Sequence, residues 1–402
     1  MTFVLALGLL LRAVLLPLTF GPDFHIWDLT AAATLRGQDV YSRPPLPVDR
    51  FGPYAYFPLY LYLLTPLKWL ASHTGLPYVV LGKLPVMAGD VGVALGIATA
   101  LRHAGRDERA GALGAALFFL NPLALYNGAF YGRFDSLPLA LLLLAWNRLP
   151  RAGWGGASLA LPYALAVALK TFPIFLLPYL LARLGPRRGR RVALAALALP
   201  FVVSLPYLWH DARRFLYIVF VYDSTKGPRQ FSWQAALLEL GLSERTATVI
   251  SYALLALFAL ALLLSLTPTP RLTGPSDPSR ESDVGAPSPV VRERGCRGVR
   301  ADPYAYGAVA LTLFLLLSKV VYEQYLLWPL PFLAVLAVRD RARDALGLLV
   351  VLSVCGLLSN GWIHPFGYDP YPPLWLNGLI AIAAALFALG RGIGDRRSWG
   401  AP

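Results

Sequence analysis

A candidate catalytic carboxylate lies just after the first apolar run of the chain. Asp23 stands among aromatic residues in TFGPDFHIWD. At a membrane surface, such a carboxylate can act as a general base that removes a proton from a hydroxyl group. The alternative is structural, because Asp is favoured at helix N-termini and could cap a helix over 24–36. Asp28, about one helical turn further on, could bind a substrate, although it is more typical of a solvated or cation-paired side chain.

Two junctions between apolar runs carry further candidate residues. YGRFDS contains Arg133 and Asp135, which could belong to a site, although Asp135 could equally cap a helix over 136–149. Lys170 stands in ALKTFPIF between two predicted helices. A lysine that faces an outer cavity is a suitable phosphate ligand. The alternative is a lysine whose ammonium reaches the membrane interface.

A fourth polar segment lies near the C-terminal part of the chain. SKVVYEQYLLWPLP (318–331) places a cation, an acid, an amide and two amphipathic rings at one predicted membrane boundary: Lys319, Glu323, Gln324, Tyr325 and Trp328. Tyr325 and Trp328 alone would be typical of aromatic residues at a membrane interface. The polar residues beside them favour a substrate site.

Three charged residues lie inside apolar runs, namely Arg12, Lys83 and Asp90. A charge near the bilayer centre costs at least about 2.5–3.5 kcal/mol and normally faces a partner or a wet cavity. Lys83 and Asp90 are about two helical turns apart on one predicted helical face. We expect ion pairing within a helix bundle for Asp90 and a similar role for Arg12.

The composition is that of a membrane protein. The 402 residues are 57% hydrophobic and 14% charged, whereas a soluble domain carries roughly 25% charged residues. Together with the mean hydropathy of +0.56, these values exclude a soluble enzyme. The net charge of +14 arises in basic clusters between apolar runs, which is typical of cytoplasmic loops and not of a nucleic-acid-binding face. No nucleic-acid partner is expected.

The apolar runs predict an all-α polytopic membrane protein with about 12 transmembrane helices, within a range of roughly 11–13. Aromatic rings and Lys68 in the segment 54–72 favour a helix that lies in the interface rather than one that spans. The first loop, 21–77, is then on the outer face, and both termini are cytoplasmic in a multi-pass cell-membrane protein. The predicted spans are 3–20, 78–101, 111–128, 135–149, 154–170, 172–184, 192–209, 247–267, 304–320, 324–338, 345–360 and 374–390.

One long polar segment divides the chain. Residues 268–303 are rich in Pro, Ser, Gly and charge, a composition that has too little apolar surface to fold and predicts a disordered cytoplasmic linker. The N-terminal part, 1–267, is therefore expected to form one transmembrane module that includes the first outer loop. Residues 304–402 are expected to form the C-terminal transmembrane helices and a short cytoplasmic tail.

Taken together and in order, seven segments resemble the catalytic subunit of GPI mannosyltransferase I and, more broadly, the GT-C glycosyltransferases that use polyprenyl-phosphate sugars. Each segment is weak alone, but the ordered series covers most of the chain from 23 to 333. The segments are DFHIWDLTAAATLRGQDVYS (23–42), YAYFPLYLYLL (54–64), GKLPVMAGDVGVALGI (82–97), NPLALYNGAFYGRFDS (121–136), LAVALKTFPIFLLP (165–178), RQFSW (229–233) and KVVYEQYLLWPLPFL (319–333).

The resemblance implies an integral membrane glycosyltransferase, related to a mannosyltransferase. Such an enzyme moves a hexose with inversion from a polyprenyl-phosphate donor to a glycolipid, glycan or protein on the outer face. Its partners would be that donor, the acceptor and membrane lipid. The resemblance makes Asp23 the expected catalytic base, and it adds Arg229 and Gln230 of RQFSW to the substrate-binding set. That set is Asp28, Arg133, Asp135, Lys170, Arg229, Gln230, Lys319, Gln324, Tyr325 and Trp328.

Two alternatives stay open at the level of sequence. The family's paired acids in the first loop are matched only by Asp23, because Gly21 stands where the first acid would be. A divalent cation at this motif is therefore left open, and no cofactor is assigned. A lipid-linked sugar flippase or a secondary transporter could also hold carboxylates and cations in an apolar bundle, although transporters tend to place them near mid-membrane on broken helices.

Overall fold

The computed structural model describes residues 1–18, 21–41, 53–149, 156–222, 229–265, 302–318, 320–359 and 374–394. Within these ranges the chain is helical apart from a parallel ladder of two residues per strand, which joins β1 (Arg229–Gln230) to β2 (Val320–Val321). The α-helices are α1 Thr2–Leu15, α2 Pro22–Leu35, α3 Leu59–Thr74, α4 Tyr78–Leu81, α5 Leu84–His103, α6 Glu108–Phe119, α7 Pro122–Leu125, α8 Ser136–Trp146, α9 Gly156–Leu169, α10 Leu177–Val203, α11 Leu205–Leu216, α12 Trp233–Glu239, α13 Glu244–Ser265, α14 Pro303–Leu317, α15 Leu330–Arg339, α16 Arg343–Ser359 and α17 Leu374–Gly394.

Four shorter helices of other types connect these elements in the described ranges. They are the π-helices Tyr126–Phe130 and Tyr217–Val221 and the 3-10 helices Phe172–Leu176 and Glu323–Leu327. Two of them flank the polar junctions that the sequence singles out, since Tyr126–Phe130 precedes Arg133 and Glu323–Leu327 precedes Trp328. The predicted all-α class is confirmed by this architecture.

The helices agree with a membrane protein, but the number of spans is not settled by their lengths. In the described part of the chain, only Tyr78–His103 is by itself long and apolar enough to cross a bilayer. Two bent helix pairs would raise the number of spans to 3 if each pair formed one span. Several shorter apolar helices, including α1, α8 and the apolar part of α14, have 10–17 residues. The count of twelve spans therefore stays a prediction.

A break at Gly185 bears on the predicted loop over 183–191. Helix α10 runs through this region, but Gly185 has φ +72 and ψ 174, which are not helical values. A Cβ atom placed on Gly189 would lie 3.1 Å from the Cα of Leu181, which is too close for two residues on one straight helix. The chain therefore turns at the arginine-rich segment instead of continuing as a straight rod.

Helices α5 and α8 approach each other through a glycine stripe on α5. A Cβ atom on Gly89 would lie 2.6 Å from the backbone nitrogen of Leu137, and one on Gly92 would lie 2.7 Å from the Cβ of Ala140. Small residues allow helix backbones to approach closely in membranes, where packing rather than hydrophobicity drives association. This contact holds the N-terminal end of α8, and with it the polar junction 131–135, against α5.

Hydrophobic cores are shared across the long linker. The largest core cluster combines buried residues of the N-terminal part, such as Trp146 and Tyr179, with residues of the C-terminal part, such as Phe332 and Leu333. Trp146 packs edge to face on Phe332 with ring centroids 5.8 Å apart. The predicted linker lies outside the described residues except at 302–303, so the domain division stays a prediction.

The described helices of the predicted first loop, α2 and α3, are held by aromatic packing against Phe134, just before α8. Phe134 stacks on Tyr60 of α3 with a centroid distance of 4.0 Å and lies 5.2 Å from the ring of Trp27 of α2. Trp27 and Tyr60 are themselves in edge-to-face contact at 5.4 Å. Helices α2 and α3, which correspond to the predicted segments 24–36 and 54–72, are therefore anchored at the polar junction.

Of the three charged residues inside apolar runs, Arg12 and Asp90 bind each other, whereas Lys83 binds backbone carbonyls. Arg12 donates from Nε to Asp90 Oδ2 at 2.7 Å, and both side chains are fully or almost fully buried. Lys83 does not pair with Asp90; its ammonium donates at 2.8–2.9 Å to backbone carbonyl oxygens at the ends of two helices. These are the carbonyls of Leu16, Ala129 and Phe130. The expected ion pairing of Asp90 and Arg12 within the bundle is observed.

We predict that Gly89→Ala destabilises the protein by about 1–3 kcal/mol, because its new methyl group would overlap the backbone of α8. The matched control is Gly111→Ala in α6, where the nearest neighbour of the added methyl is the Cβ of Ala98 at 3.7 Å, an ordinary contact. Replacing a helical glycine by alanine there should be neutral or stabilising. Thermal unfolding in detergent micelles would compare the two variants, and equal midpoints would contradict the tight α5–α8 contact.

Candidate active site

The polar junction between the π-helix Tyr126–Phe130 and α8 is shaped by a tight turn. Gly132 has φ +78, and a Cβ atom there would lie 2.8 Å from the ring of Phe24 and 3.1 Å from the Cε of Lys83. Glycine is the residue that accepts such a left-handed backbone without strain. The amide of Arg133 then donates to the carbonyl of Asn127 at 2.8 Å, which fixes the residue that follows the turn.

Arg133 joins carboxylates from two distant parts of the chain. Its Nε donates to Asp23 Oδ2 at 3.0 Å, and its Nη1 donates to Glu323 Oε1. The same Nη1 also donates to Asn127 Oδ1 at 3.2 Å. Charge-assisted hydrogen bonds of this kind are stronger than neutral ones and fix the orientation of the carboxylates. Helix α2, the junction and the segment before α15 therefore meet at one guanidinium.

The two carboxylates differ in their access to solvent. The side chain of Glu323 is 5% exposed and that of Arg133 is 10% exposed, whereas Asp23 is 31% exposed. Burial by itself lowers the pKa of the Arg133 guanidinium, but the negative charges of Glu323 and then Asp23 outweigh it and raise the pKa above its ordinary value. The arginine is a permanent cation, and Asp23 is the more exposed of the two acids that it binds.

Arg133, Asp23, Asn127 and Glu323 form the first charge cluster. A second charge cluster, formed by Lys170, Asp135 and Trp328, lies beside it. Lys170, which follows α9, donates from Nζ to Asp135 Oδ1 at 2.6 Å, and Trp328 donates from Nε1 to the same oxygen at 2.6 Å. The side chains of Lys170 and Asp135 are 7% and 2% exposed. A buried carboxylate that receives two strong donors is well compensated for its desolvation.

Aromatic rings surround the ammonium of Lys170. Its Nζ lies 5.0–5.7 Å from four ring centroids, within the range of cation–π attraction. Trp328 is also stacked between Phe172, at 4.1 Å, and Tyr325, at 4.3 Å. The second charge cluster is thus enclosed by apolar ring faces. The four rings around Lys170 are Tyr56, Phe134, Tyr325 and Trp328.

The structure contradicts a cap at Asp23 and leaves Asp135 at a cap position without a capping hydrogen bond. Helix α2 begins at Pro22 with Gly21 as its N-cap, so Asp23 lies inside the first turn, where its side chain bonds to Arg133. Asp135 does occupy the N-cap position of α8, but its side chain makes no capping hydrogen bond. In both cases a cation from another segment takes the carboxylate that could have capped the helix.

The other predicted residues fall into three groups. Asp28 forms an ion pair with Lys68 at 2.5 Å, apart from both charge clusters. Gln324 is buried with its Oε1 lacking a hydrogen bond to any described residue, and Tyr325 stacks on Trp328 as given above. The backbone of Arg229 and Gln230 pairs with Val320 and Val321, which brings this segment next to Glu323. The side chains of Arg229 and Gln230, and Lys319 as a whole, lie outside the described residues.

Sequence reasoning missed two residues of the first charge cluster. Glu323 stood in the segment 318–331, yet it was not assigned to the site, and Asn127 was not considered. The signal that could have found Glu323 is an isolated acid at the boundary of an apolar run, where an unpaired charge is unfavourable. Its partner could not be inferred, because Arg133 is 190 residues away in the sequence.

No described group of three or more His, Cys, Asp and Glu residues is arranged to hold a metal ion. One side-chain oxygen each of Asp23, Asn127 and Glu323 is hydrogen-bonded to Arg133. These residues therefore do not fit a divalent cation, because the guanidinium lies where the shared ligand position would be.

Residues 54–276 match glycosyltransferase family 87, and the chain belongs to this family. The predicted class, a membrane-bound GT-C superfamily glycosyltransferase, is confirmed.

Among solved structures, the apo oligosaccharyltransferase of Archaeoglobus fulgidus is similar at 16% identity with a TM-score of 0.37, over 96% of this chain and 54% of that one. The chain thus spans about half the length of that protein. A search of curated proteins found no match.

We predict that Asp135→Asn lowers the free energy of unfolding by about 3–5 kcal/mol, because it leaves the buried Lys170 ammonium without its counter-ion. The matched control is Asp28→Asn, which breaks the half-exposed pair with Lys68 and should cost about 0–1 kcal/mol. Unfolding in mixed detergent micelles would measure both, and Asp135→Asn, Lys170→Met should recover part of the loss. An equal effect of the two single substitutions would contradict the buried pairing.

Proposed function

We propose that this family 87 enzyme transfers a hexose from a polyprenyl-phosphate donor. The sequence resemblance favours mannose as that hexose. The acceptor would be a hydroxyl group of a glycolipid, glycan or protein at the outer face of the cell membrane, and the transfer would invert the anomeric centre. The observation that carries the proposal is the convergence of Asp23, Arg133 and Glu323 beside the Lys170–Asp135 pair. Base and cation are then available within one site.

Asp23 is the proposed catalytic base. It is the more exposed of the two carboxylates on Arg133, and the bond from Arg133 Nε fixes its orientation. General-base catalysis needs a carboxylate within hydrogen-bond reach of the attacking hydroxyl, and it contributes typically about 10²–10⁴-fold to the rate. In an inverting transfer, Asp23 takes the acceptor proton while the hydroxyl oxygen attacks the anomeric carbon from the face opposite the leaving phosphate.

Lys170 is proposed as a cationic ligand of the donor phosphate. Its side chain lies within the described part of the chain. An ammonium has three donors, and Asp135 accepts one of them. Rings around the ammonium exclude water, and electrostatic stabilisation of a leaving phosphate is strongest where water is excluded. Arg229, Gln230, Lys319 and Gln324 complete the proposed set around the phosphate and sugar. The ladder between β1 and β2 supports this by bringing the first two beside Glu323.

The proposed topology has both termini in the cytoplasm, about twelve spans and the first loop, 21–77, on the outer face. The junction 131–135 lies between a π-helix and α8, and the predicted topology puts this helix boundary on the outer side. The site would then open towards lipid, where a polyprenyl chain can lie between helices. The module over 1–267 and the C-terminal helices after 304 would close around it, since both contribute to the described charge clusters.

We predict that Asp23→Asn reduces sugar transfer at least 100-fold, because the amide cannot accept the acceptor proton. The measurement is transfer from a panel of polyprenyl-phosphate sugars by the purified protein in proteoliposomes. Asp211→Asn is the matched control: Asp211 is exposed, and its Oδ1 accepts from the amide of Arg214, a bond that the asparagine oxygen can keep.

Full activity in Asp23→Asn would remove Asp23 from the mechanism. A protein that moves the intact lipid-linked sugar across the bilayer without forming a glycosidic product would instead favour a flippase. Both readouts can be taken from the same vesicles by using a donor labelled in the sugar.

A further inference from the structure

We infer that Arg133 occupies the position between Asp23 and Glu323 that a divalent cation would need, so that the site contains its cation as part of the chain. The inference rests on the proposed function only for its meaning in catalysis. The geometry that carries it is independent of the sugar, the donor and the acceptor.

The first observation is the donor set around the guanidinium. Asp23 Oδ2, Asn127 Oδ1 and Glu323 Oε1 converge on Nε and Nη1 of Arg133. Carboxylate and amide oxygens of this kind are the ligands that hard divalent cations prefer, at about 2.0–2.6 Å. A metal ion placed among these three oxygens would meet the guanidinium that already binds them, so arginine and metal compete for the same ligands.

The second observation concerns position 21, where this chain has Gly instead of the first acid of the family's pair. A Cβ atom on Gly21 would lie 2.0 Å from Cδ1 of the Tyr131 ring, and the amide of Gly21 donates to the carbonyl of Tyr131 at 3.3 Å. No side chain fits there unless the ring moves. The same ring lies against the Arg133 guanidinium, with 4.7 Å between the Tyr131 ring centroid and Cζ of Arg133. Tyr131 therefore both occupies the space of a second acid and packs against the arginine.

The third observation is the charge balance. One arginine faces two carboxylates, and the more buried of them, Glu323, is 5% exposed. Since arginine stays protonated in proteins, it supplies a permanent positive charge to both Glu323 and Asp23. Glu323 and Arg133 are thus positioning residues for Asp23, and the site needs no metal supply to keep its carboxylates together.

The test is Mn²⁺ binding to the full-length protein purified in detergent, followed by the electron paramagnetic resonance signal of free Mn²⁺. We expect no stoichiometric binding by the wild-type protein. Arg133→Met frees the three oxygens that the guanidinium binds and should create a Mn²⁺ site, which Arg133→Met, Glu323→Gln should lose. Arg213→Met, which removes an exposed arginine of α11, is the matched control and should bind no Mn²⁺.

Two outcomes would overturn the inference. One is stoichiometric Mn²⁺ binding by the wild type that disappears in Asp23→Asn, a measurement that stands even if the Arg133 variants do not fold. The other is a folded Arg133→Met protein, monodisperse by size exclusion, that binds no Mn²⁺.

A parallel assay of sugar transfer separates this inference from the proposed function. Transfer that survives extensive chelation supports the inference, and transfer that is lost on chelation and restored by Mn²⁺ contradicts it. Absence of transfer from every donor would count against the proposed function alone, because the Mn²⁺ titration does not depend on activity.

Discussion

One guanidinium determines how the polar part of this protein is assembled. Arg133 connects α2 and the segment before α15 to the junction at the start of α8, and each of these segments also has its own apolar packing. A charge that is largely removed from water must be paired, or its desolvation would destabilise the fold by several kcal/mol. Pairing with two acids from distant segments makes the conformation of all three segments depend on one another.

The glycine positions in this region serve the same assembly. Gly132 provides the left-handed turn that precedes Arg133, and Gly21 leaves room for the Tyr131 ring. On α5, Gly89 brings α8 close enough for the polar junction to be held by helix packing. The site is therefore built on backbone contacts that tolerate no side chain, which explains why so apolar a chain can hold its charged residues in fixed positions.

Residue type and local context in the sequence were enough to indicate the class of protein and several members of the two charge clusters. Arg133, Asp135 and Lys170 are charged residues at the ends of apolar runs, where a charge usually needs a partner. The all-helical class follows from the apolar runs themselves. The pairs could not be inferred, because Lys170 and Trp328 reach Asp135 from other parts of the fold. The capping hydrogen bonds considered for Asp23 and Asp135 are absent for a related reason. Local rules favour a cap at Asp23 and Asp135, but a buried cation binds a carboxylate more strongly than a free backbone amide does.

The shared core across residues 266–301 has a consequence for how the protein can be made. Trp146 and Phe332, Asp135 and Trp328, and Arg133 and Glu323 all meet across this division, and β1 pairs with β2 across it as well. These described contacts between the two parts all lie on residues before 266 and after 301. A gene divided there would encode two membrane polypeptides that recognise each other through the site itself, so that assembly of the pair and formation of the site would be a single event.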